Sequence, residues 1–202
     1  MEVAIVYHPD YVAPLPEQHR FPMQKFRLLR DLLLKDGIIT PAQIFTPQLP
    51  DIAQLELVHN PVYVKGYCEG TLEYQAQRRI GLPWSEPLAN RTRIAIGGTI
   101  LTAQLALEYG FACNTAGGTH HAFPDYGSGF CIFNDLAIAA KVLLEEGKVD
   151  KILIIDCDVH QGDGTAFIFR DEPRVFTFQC TAESIFLVIN NRAIATLLSL
   201  KV

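Results

Sequence analysis

"KILIIDCDVHQGDG", Lys151 to Gly164, runs from an apolar stretch without a polar face into two aspartates and a histidine at alternate positions, then two glycines flanking a third aspartate. A short run that is apolar on both sides predicts a strand buried in a parallel sheet with helices on both faces. Side chains of an extended chain alternate between two faces, so Asp156, Asp158 and His160 point one way and Cys157 and Val159 the other. A carboxylate and an imidazole at i and i+2 can share one divalent ion in a mixed oxygen and nitrogen site, with room for another carboxylate and a water. Gly162 and Gly164 let the backbone turn sharply there, which brings Asp163 back toward the pocket. The same residues also allow a structural reading, in which the aspartates cap loops and His160 packs at the strand end.

Outward from this stretch, strand-like and helical patterns alternate. "VAIVYH" (3–8), "FACNTAGG" (111–118) and "RVFTFQ" (174–179) read as further strands. "MQKFRLLRDLLLKDG" sets Phe26, Leu29, Leu32 and Leu33 at helical spacing with Gly37 as the stop. "TRIAIGGTILTAQLALEYG" reads as a long helix in which Gly97 and Gly98 permit close packing and Gly110 ends the run, and "NDLAIAAKVLLEEG" as a helix starting near Asn134 or Asp135. The pattern is α/β, a three-layer arrangement of parallel sheet and helices, and in such sheets function collects at the carboxyl ends of strands.

Composition narrows the class. The chain has 202 residues, 49% of them hydrophobic, with 17 basic and 22 acidic side chains and a formal charge of -5. That is an ordinary globular balance, with no basic face for nucleic acid. The N-terminus lacks a basic leader and no apolar stretch approaches the roughly 20 residues a membrane span requires, so neither secretion nor membrane insertion is expected. Five scattered cysteines read as reduced thiols of a cytoplasmic protein, with Cys131 and Cys157 as small buried hydrophobes rather than nucleophiles.

A second strand end carries "GGTHHAFPDYGSGF", 117–130. Adjacent histidines on a regular strand face opposite ways, but in a glycine-rich loop His120 and His121 can face one cavity. Imidazole titrates near neutrality and suits proton transfer to and from water. Each ring needs a partner to fix its tautomer, and Asp156 and Asp163 of the first loop are available.

With both loops in view, the sequence resembles the zinc-dependent histone deacetylases and their bacterial relatives, the acetoin- and acetylpolyamine-type hydrolases among them. "GGTHHAF", "GSGFCIFND" and "IIDCDVHQGDG" stand in that family's order and spacing, and weaker similarity runs through "YHPDY", "HRFPMQKFRLLRDLL" and "RIGLPWS", so that it covers about residues 1–178. "GGTI" and "DVHQGDG" look closest to the class IV branch with its bacterial members. The resemblance implies an arginase/deacetylase-like fold and removal of acetyl groups from acetyl-lysine, polyamines or other small acetylated amines. It makes Asp158 and His160 ligands of one zinc ion. His120 and His121 become the pair that holds and activates the attacking water, with Asp156 behind His120 and Asp163 behind His121. Gly129 and Phe130 line a narrow tunnel for the acyl-lysine chain, and Arg20 matches an arginine deep in the pocket associated with acetate exit.

The family's third zinc ligand, an aspartate, and its catalytic tyrosine lie downstream of these motifs. Here the last tyrosine is Tyr126, the last aspartate Asp171, and Glu183 is the only acid beyond Phe178. Residues 179–202 are accordingly expected to be a divergent tail, the product of a frameshift or truncation, behind an incomplete N-terminal part of the domain at 1–178. An incomplete sheet leaves strand edges that favour self-association. Two rival readings follow. One is a non-catalytic remnant of a deacetylase. The other is a binuclear manganese ureohydrolase like arginase, whose loop favours Asp-x-His-x-Asp where this chain has Gly162.

Overall fold

The computed structural model describes residues 3–179 and the backbone of 180, 185–187 and 196–199. Strand β1 (Ala4–Val6) is buried throughout and pairs in parallel with β2 (Ile44–Phe45) on one side and β3 (Ala112–Asn114) on the other, with Ile5 opposite both Ile44 and Cys113. A second sheet is built on β4 (Ile152–Asp156), which pairs in parallel with β5 (Val175–Cys180) and β7 (Thr196–Ser199), while β6 (Ile185–Leu187) runs antiparallel to β5. The sheet expected from the sequence therefore stands as two pieces, ordered β2-β1-β3 and β6-β5-β4-β7. No strand among the described residues pairs with both β3 and β4, so nothing joins the pieces through backbone hydrogen bonds. The divergent tail expected at 179–202 falls largely outside the described residues, Glu183 included.

Helices join what the strands do not. Seven are present among the described residues: α1 (Lys25–Lys35), α2 (Ile52–Glu56), α3 (Pro61–Cys68), α4 (Tyr74–Ile80), α5 (Glu86–Tyr109), α6 (Asp135–Glu145) and α7 (Asp163–Phe169). The long helix α5 begins at Glu86, ahead of the stretch that reads as helical by apolar spacing. Ser85 supplies the start signal, its side chain accepting from the Leu88 N–H at 3.2 Å, with proline in the first turn. Gly97 and Gly98 serve the close packing expected of them: a Cβ at Gly97 would strike the carbonyl oxygen of Gln48, and one at Gly98 the hydroxyl of Tyr11.

Helix α6 is capped by Asn134, whose side chain accepts from the Ala137 N–H at 3.0 Å. Nearly every residue of α6 is buried because it divides two cores. Ile138, Ala139 and Val142 pack with Tyr11, Leu88, Ile96 and Phe133, whereas Leu136, Ala137, Ala140 and Leu143 pack on Ile152 and Ile154 of β4 and Phe169 of α7. Each fully buried Ile or Leu here contributes about 1.5–3 kcal/mol. Helix α1 departs from its expected stripe: Phe26 is buried and Leu33 half-buried, but Leu29 and Leu32 are 44% and 51% exposed. The helix rests on the core through its first turn rather than along its length. No helix among the described residues is long and apolar enough to cross a membrane.

Candidate active site

The site forms where the loop after β3 meets the loop after β4. Beyond Asn114 the chain stays tied to β1, the Thr115 N–H donating to the Val6 carbonyl at 3.1 Å. It then turns through Gly117, whose φ of 108° lies in the left-handed region that only glycine adopts without strain. This turn delivers His120, 1% exposed, and His121, side by side with ring centroids 4.1 Å apart.

From the other sheet, β4 ends at Asp156 and the alternation continues for two residues: Asp156 and Asp158 are buried, 5% and 4% exposed, with Cys157 between them facing out. Asp156 receives His120 Nδ1 at 2.5 Å, and Asp163, the first residue of α7, receives His121 Nδ1 at 2.7 Å. A carboxylate only accepts, so Nδ1 of each ring carries the proton and Nε2 is left for chemistry. His120 Nε2 is buried without a hydrogen-bond partner and lies 3.8 Å from Asp158 Oδ1. An orphaned buried nitrogen beside a carboxylate is the position in which a polar ligand is needed.

His160 does not share the burial of the aspartates. The chain leaves extended geometry after Asp158, the His160 side chain is 72% exposed, and its Nδ1 turns back to Asp158 Oδ1 at 3.0 Å. Those two donor atoms stand close to the roughly 3.3 Å edge between two ligands bound at 2.0–2.1 Å to one tetrahedral ion. The pair therefore fits two corners of a divalent metal site. Among the described residues no group of three His, Cys, Asp or Glu side chains completes one.

The glycines of "QGDG" act by close approach rather than by an unusual turn. Gly162 has an ordinary φ of -76°, but a Cβ there would meet Asp156 Oδ2 and His120 Nδ1, and one at Gly164 would meet the backbone carbonyls of His120 and Ala122. Thr165 seals the junction: its N–H donates to the His120 carbonyl at 3.1 Å, and its hydroxyl accepts from Asn134 Nδ2 at 2.9 Å.

At the rim, Gly129 packs against the His121 ring, and Phe130 is held at φ 68° by its N–H bond to the Ile80 carbonyl at 2.8 Å. A positive φ at a bulky aromatic is a strained conformation, retained where the surroundings fix it. The ring is fixed by Phe21 at 5.3 Å and the edge of His19 at 6.0 Å. Arg20 is not deep in the pocket as expected. It is exposed, with its guanidinium 4.8 Å above the Phe130 ring, because His19 anchors this loop to the Gly81 carbonyl and leaves Arg20 on the outside. Among the described residues the buried arginine is Arg91, at 5% exposure, and burial pushes its pKa down. Cys131 is buried as expected and Cys157 is exposed, since it alternates with two buried aspartates.

Several residues that organise the site carry no separate signal in the sequence. His59 is 1% exposed: its Nδ1 donates to the Phe123 carbonyl at 3.0 Å and its Nε2 accepts the Asn134 N–H at 2.9 Å, so it links the histidine loop to the start of α6. Burial lowers its pKa to about 4. Asp135, Thr99 and Thr165 are buried hydrogen-bonding partners; Asp135 lies in the helix start "ND" and Thr99 in "GGTI", but neither stretch marks the residue as a support of the histidine loop.

Comparison with known proteins supplies the context. The histone deacetylase domain family matches residues 19–186. An uncharacterized protein of Picosynechococcus is 68% identical over 183 residues, which is 91% of this chain and 61% of that protein. The acetoin utilization protein AcuC of Staphylococcus aureus is 33% identical over 181 residues, 85% of this chain and 46% of its own length. The chain thus spans about half to three-fifths of the curated relatives it matches. In three dimensions an HDAC homolog from Aquifex aeolicus superposes with a TM-score of 0.74 at 23% identity, covering 89% of this chain and 50% of the homolog. An HDAC homolog complexed with SAHA gives the same TM-score.

Proposed function

Because the chain belongs to the histone deacetylase domain family, we propose that its paired loops hydrolyse the acetyl amide of acetyl-lysine, an acetylated polyamine or a related small acetylated amine, at a zinc ion. The observation that carries this reading is the pair of carboxylate-backed histidines, His120–Asp156 and His121–Asp163, set beside the Asp158–His160 donor pair. Asp158 and His160 would hold the metal, and the described residues supply no third His, Cys, Asp or Glu ligand beside them. When bound, zinc polarises the amide carbonyl and lowers the pKa of water. The histidines do the proton work at Nε2: one takes the proton as the water oxygen adds to the carbonyl carbon, and the pair returns a proton to the amine nitrogen as the C–N bond breaks. Asp156 and Asp163 hold the rings in the tautomer this requires and stabilise the imidazolium. Gly129 and the Phe130 ring guide the aliphatic chain toward the metal.

The cysteines among the described residues whose side chains are placed are free, which supports a reducing, cytoplasmic setting. The outer edge of β3, unpaired among the described residues, supports the expected self-association, which sedimentation velocity tests.

Zinc stoichiometry on the folded chain, with Asp158→Ala as control and turnover of an acetyl-lysine peptide and an acetylated polyamine in parallel, tests the reading. One zinc per chain, lost in the control and accompanied by amine release, is the expected result. A second reading, a non-catalytic deacetylase remnant, is favoured by the two-donor metal set among the described residues. Absence of both zinc and amine release from folded chain selects it.

A further inference from the structure

Asp135, at the start of α6, is 2% exposed. A buried carboxylate is costly unless several donors converge on it, and here they come almost entirely from the loop that carries the tandem histidines. Oδ1 accepts from the Thr119 N–H at 2.7 Å, and Oδ2 from the Gly118 N–H at 3.1 Å and the Thr99 hydroxyl at 2.6 Å. The Thr119 hydroxyl, whose single hydrogen serves either Asp135 Oδ1 at 2.5 Å or the Phe133 carbonyl at 2.6 Å, also receives the Asp135 N–H at 3.1 Å. Gly117 passes so close that a Cβ would collide with Oδ2. The three residues before His120 are therefore wrapped around one carboxylate. Arg91 lines the same small cavity as Gly117, Thr119 and Asp135 and supplies the positive charge facing it.

We propose that Asp135 is a positioning residue: its carboxylate clamps residues 117–119 and thereby sets the angle at which His120 meets Asp156 and His121 meets Asp163. This rests on the reading of the two histidines as the reacting pair. The clamp is needed because the turn is glycine-rich and its own backbone does not define a single conformation. Arg91, on the same small cavity, faces the clamping group with a buried positive charge.

The test reads histidine geometry directly and requires neither metal nor turnover, so it stands whether or not the chain hydrolyses amides. In protein labelled with 15N-histidine, the His120 Nδ1 proton bonded to Asp156 gives a low-field resonance whose exchange with water is measurable. Asp135→Asn keeps the volume but turns one acceptor into an N–H₂ group facing the loop donors. Its expected effect is a roughly ten- to hundredfold faster exchange of that proton, the worth of one hydrogen bond to a charged group, with amides of β1 and β4 exchanging as before. Thr99→Val, a near-isosteric change that removes one bond to Oδ2, gives the same effect in smaller degree and serves if the asparagine variant does not fold. An unchanged His120 proton in either folded variant, or acceleration spread equally over β1 and β4, overturns the proposal.

Discussion

Acidification provides a sharp test of how the site is held together. His59 bridges the Phe123 carbonyl and the Asn134 N–H, and its ring is packed 5.1 Å from that of Phe133. Burial drops its pKa from 6.5 to about 4. The unfolded chain therefore takes up a proton near pH 6.5 that the folded chain refuses until about pH 4. Stability from this group is complete above pH 6.5, declines as pH falls through the interval, and is gone below about pH 4. At about 1.4 kcal/mol per pH unit the loss amounts to about 3 kcal/mol. Urea unfolding at pH steps from 7 to 4, followed by the fluorescence of Trp84, the sole tryptophan, measures it; Trp84 reports folding because its indole N–H is fixed on the Tyr67 carbonyl at 2.7 Å. Other groups also titrate, so the quantity to compare is the stability gap between the wild type and His59→Gln. That gap should shrink by about 3 kcal/mol between pH 7 and pH 4. A gap independent of pH would refute the assignment of His59 as a buried neutral link.

Three further outcomes follow from the packing. Gly97→Ala should cost about 1–3 kcal/mol in urea unfolding, because the new methyl meets the Gln48 backbone rather than a movable side chain. Arg20→Ala should leave stability within about 0.5 kcal/mol, as its side chain lies outside on Phe130, while Arg91→Met should shift the thermal midpoint by several degrees because Asp135 loses the buried cation facing it. Under the proposed activity, Asp163→Ala should lower amine release about 10- to 100-fold without a change in fold, since the carboxylate is half-exposed and its one bond beyond the adjacent Gly164 N–H is to His121.

What the sequence makes legible is set by locality. Strand β4 announces itself because burial on both faces leaves no polar position, and α6 because an asparagine cap precedes an apolar run. That two imidazoles and two carboxylates share these loops is legible in the residues themselves, whereas the pairing of His120 with Asp156 and of His121 with Asp163 is what the family resemblance implies and the structure shows. The misplacements share a cause as well. His160 follows strand alternation only on paper, since the chain bends after Asp158 and the ring swings out to meet its carboxylate. Arg20 and Arg91 are equivalent as letters; which one is buried depends on His19 fixing a loop to Gly81 and on α5 crossing beside Tyr11. His59 has no neighbour in sequence that marks it, because both of its partners arrive from more than sixty positions away.

The two sheets share no backbone ladder, and this gives the site residues a second role. Apart from the helix packing of α5 and α6, the first sheet reaches the second through the histidine loop itself: His120 to Asp156 side chain to side chain, the His120 carbonyl to Thr165, and Asn134 to both Ala122 and Thr165. Hydrogen bonds to a charged group are each worth about 1.5–3 kcal/mol, a large part of the 5–15 kcal/mol by which a domain is stable. The bond that fixes the His120 tautomer is thus also a fastener between two halves of the fold. Residues 117–122 cannot be loosened to suit a different substrate without weakening the junction, whereas the rim at Arg20, Phe21 and Phe130 touches neither sheet's ladder. Differences in substrate among relatives that keep this junction are therefore expected to arise at the rim, and substitution of the exposed Arg20 should alter substrate preference at nearly unchanged stability.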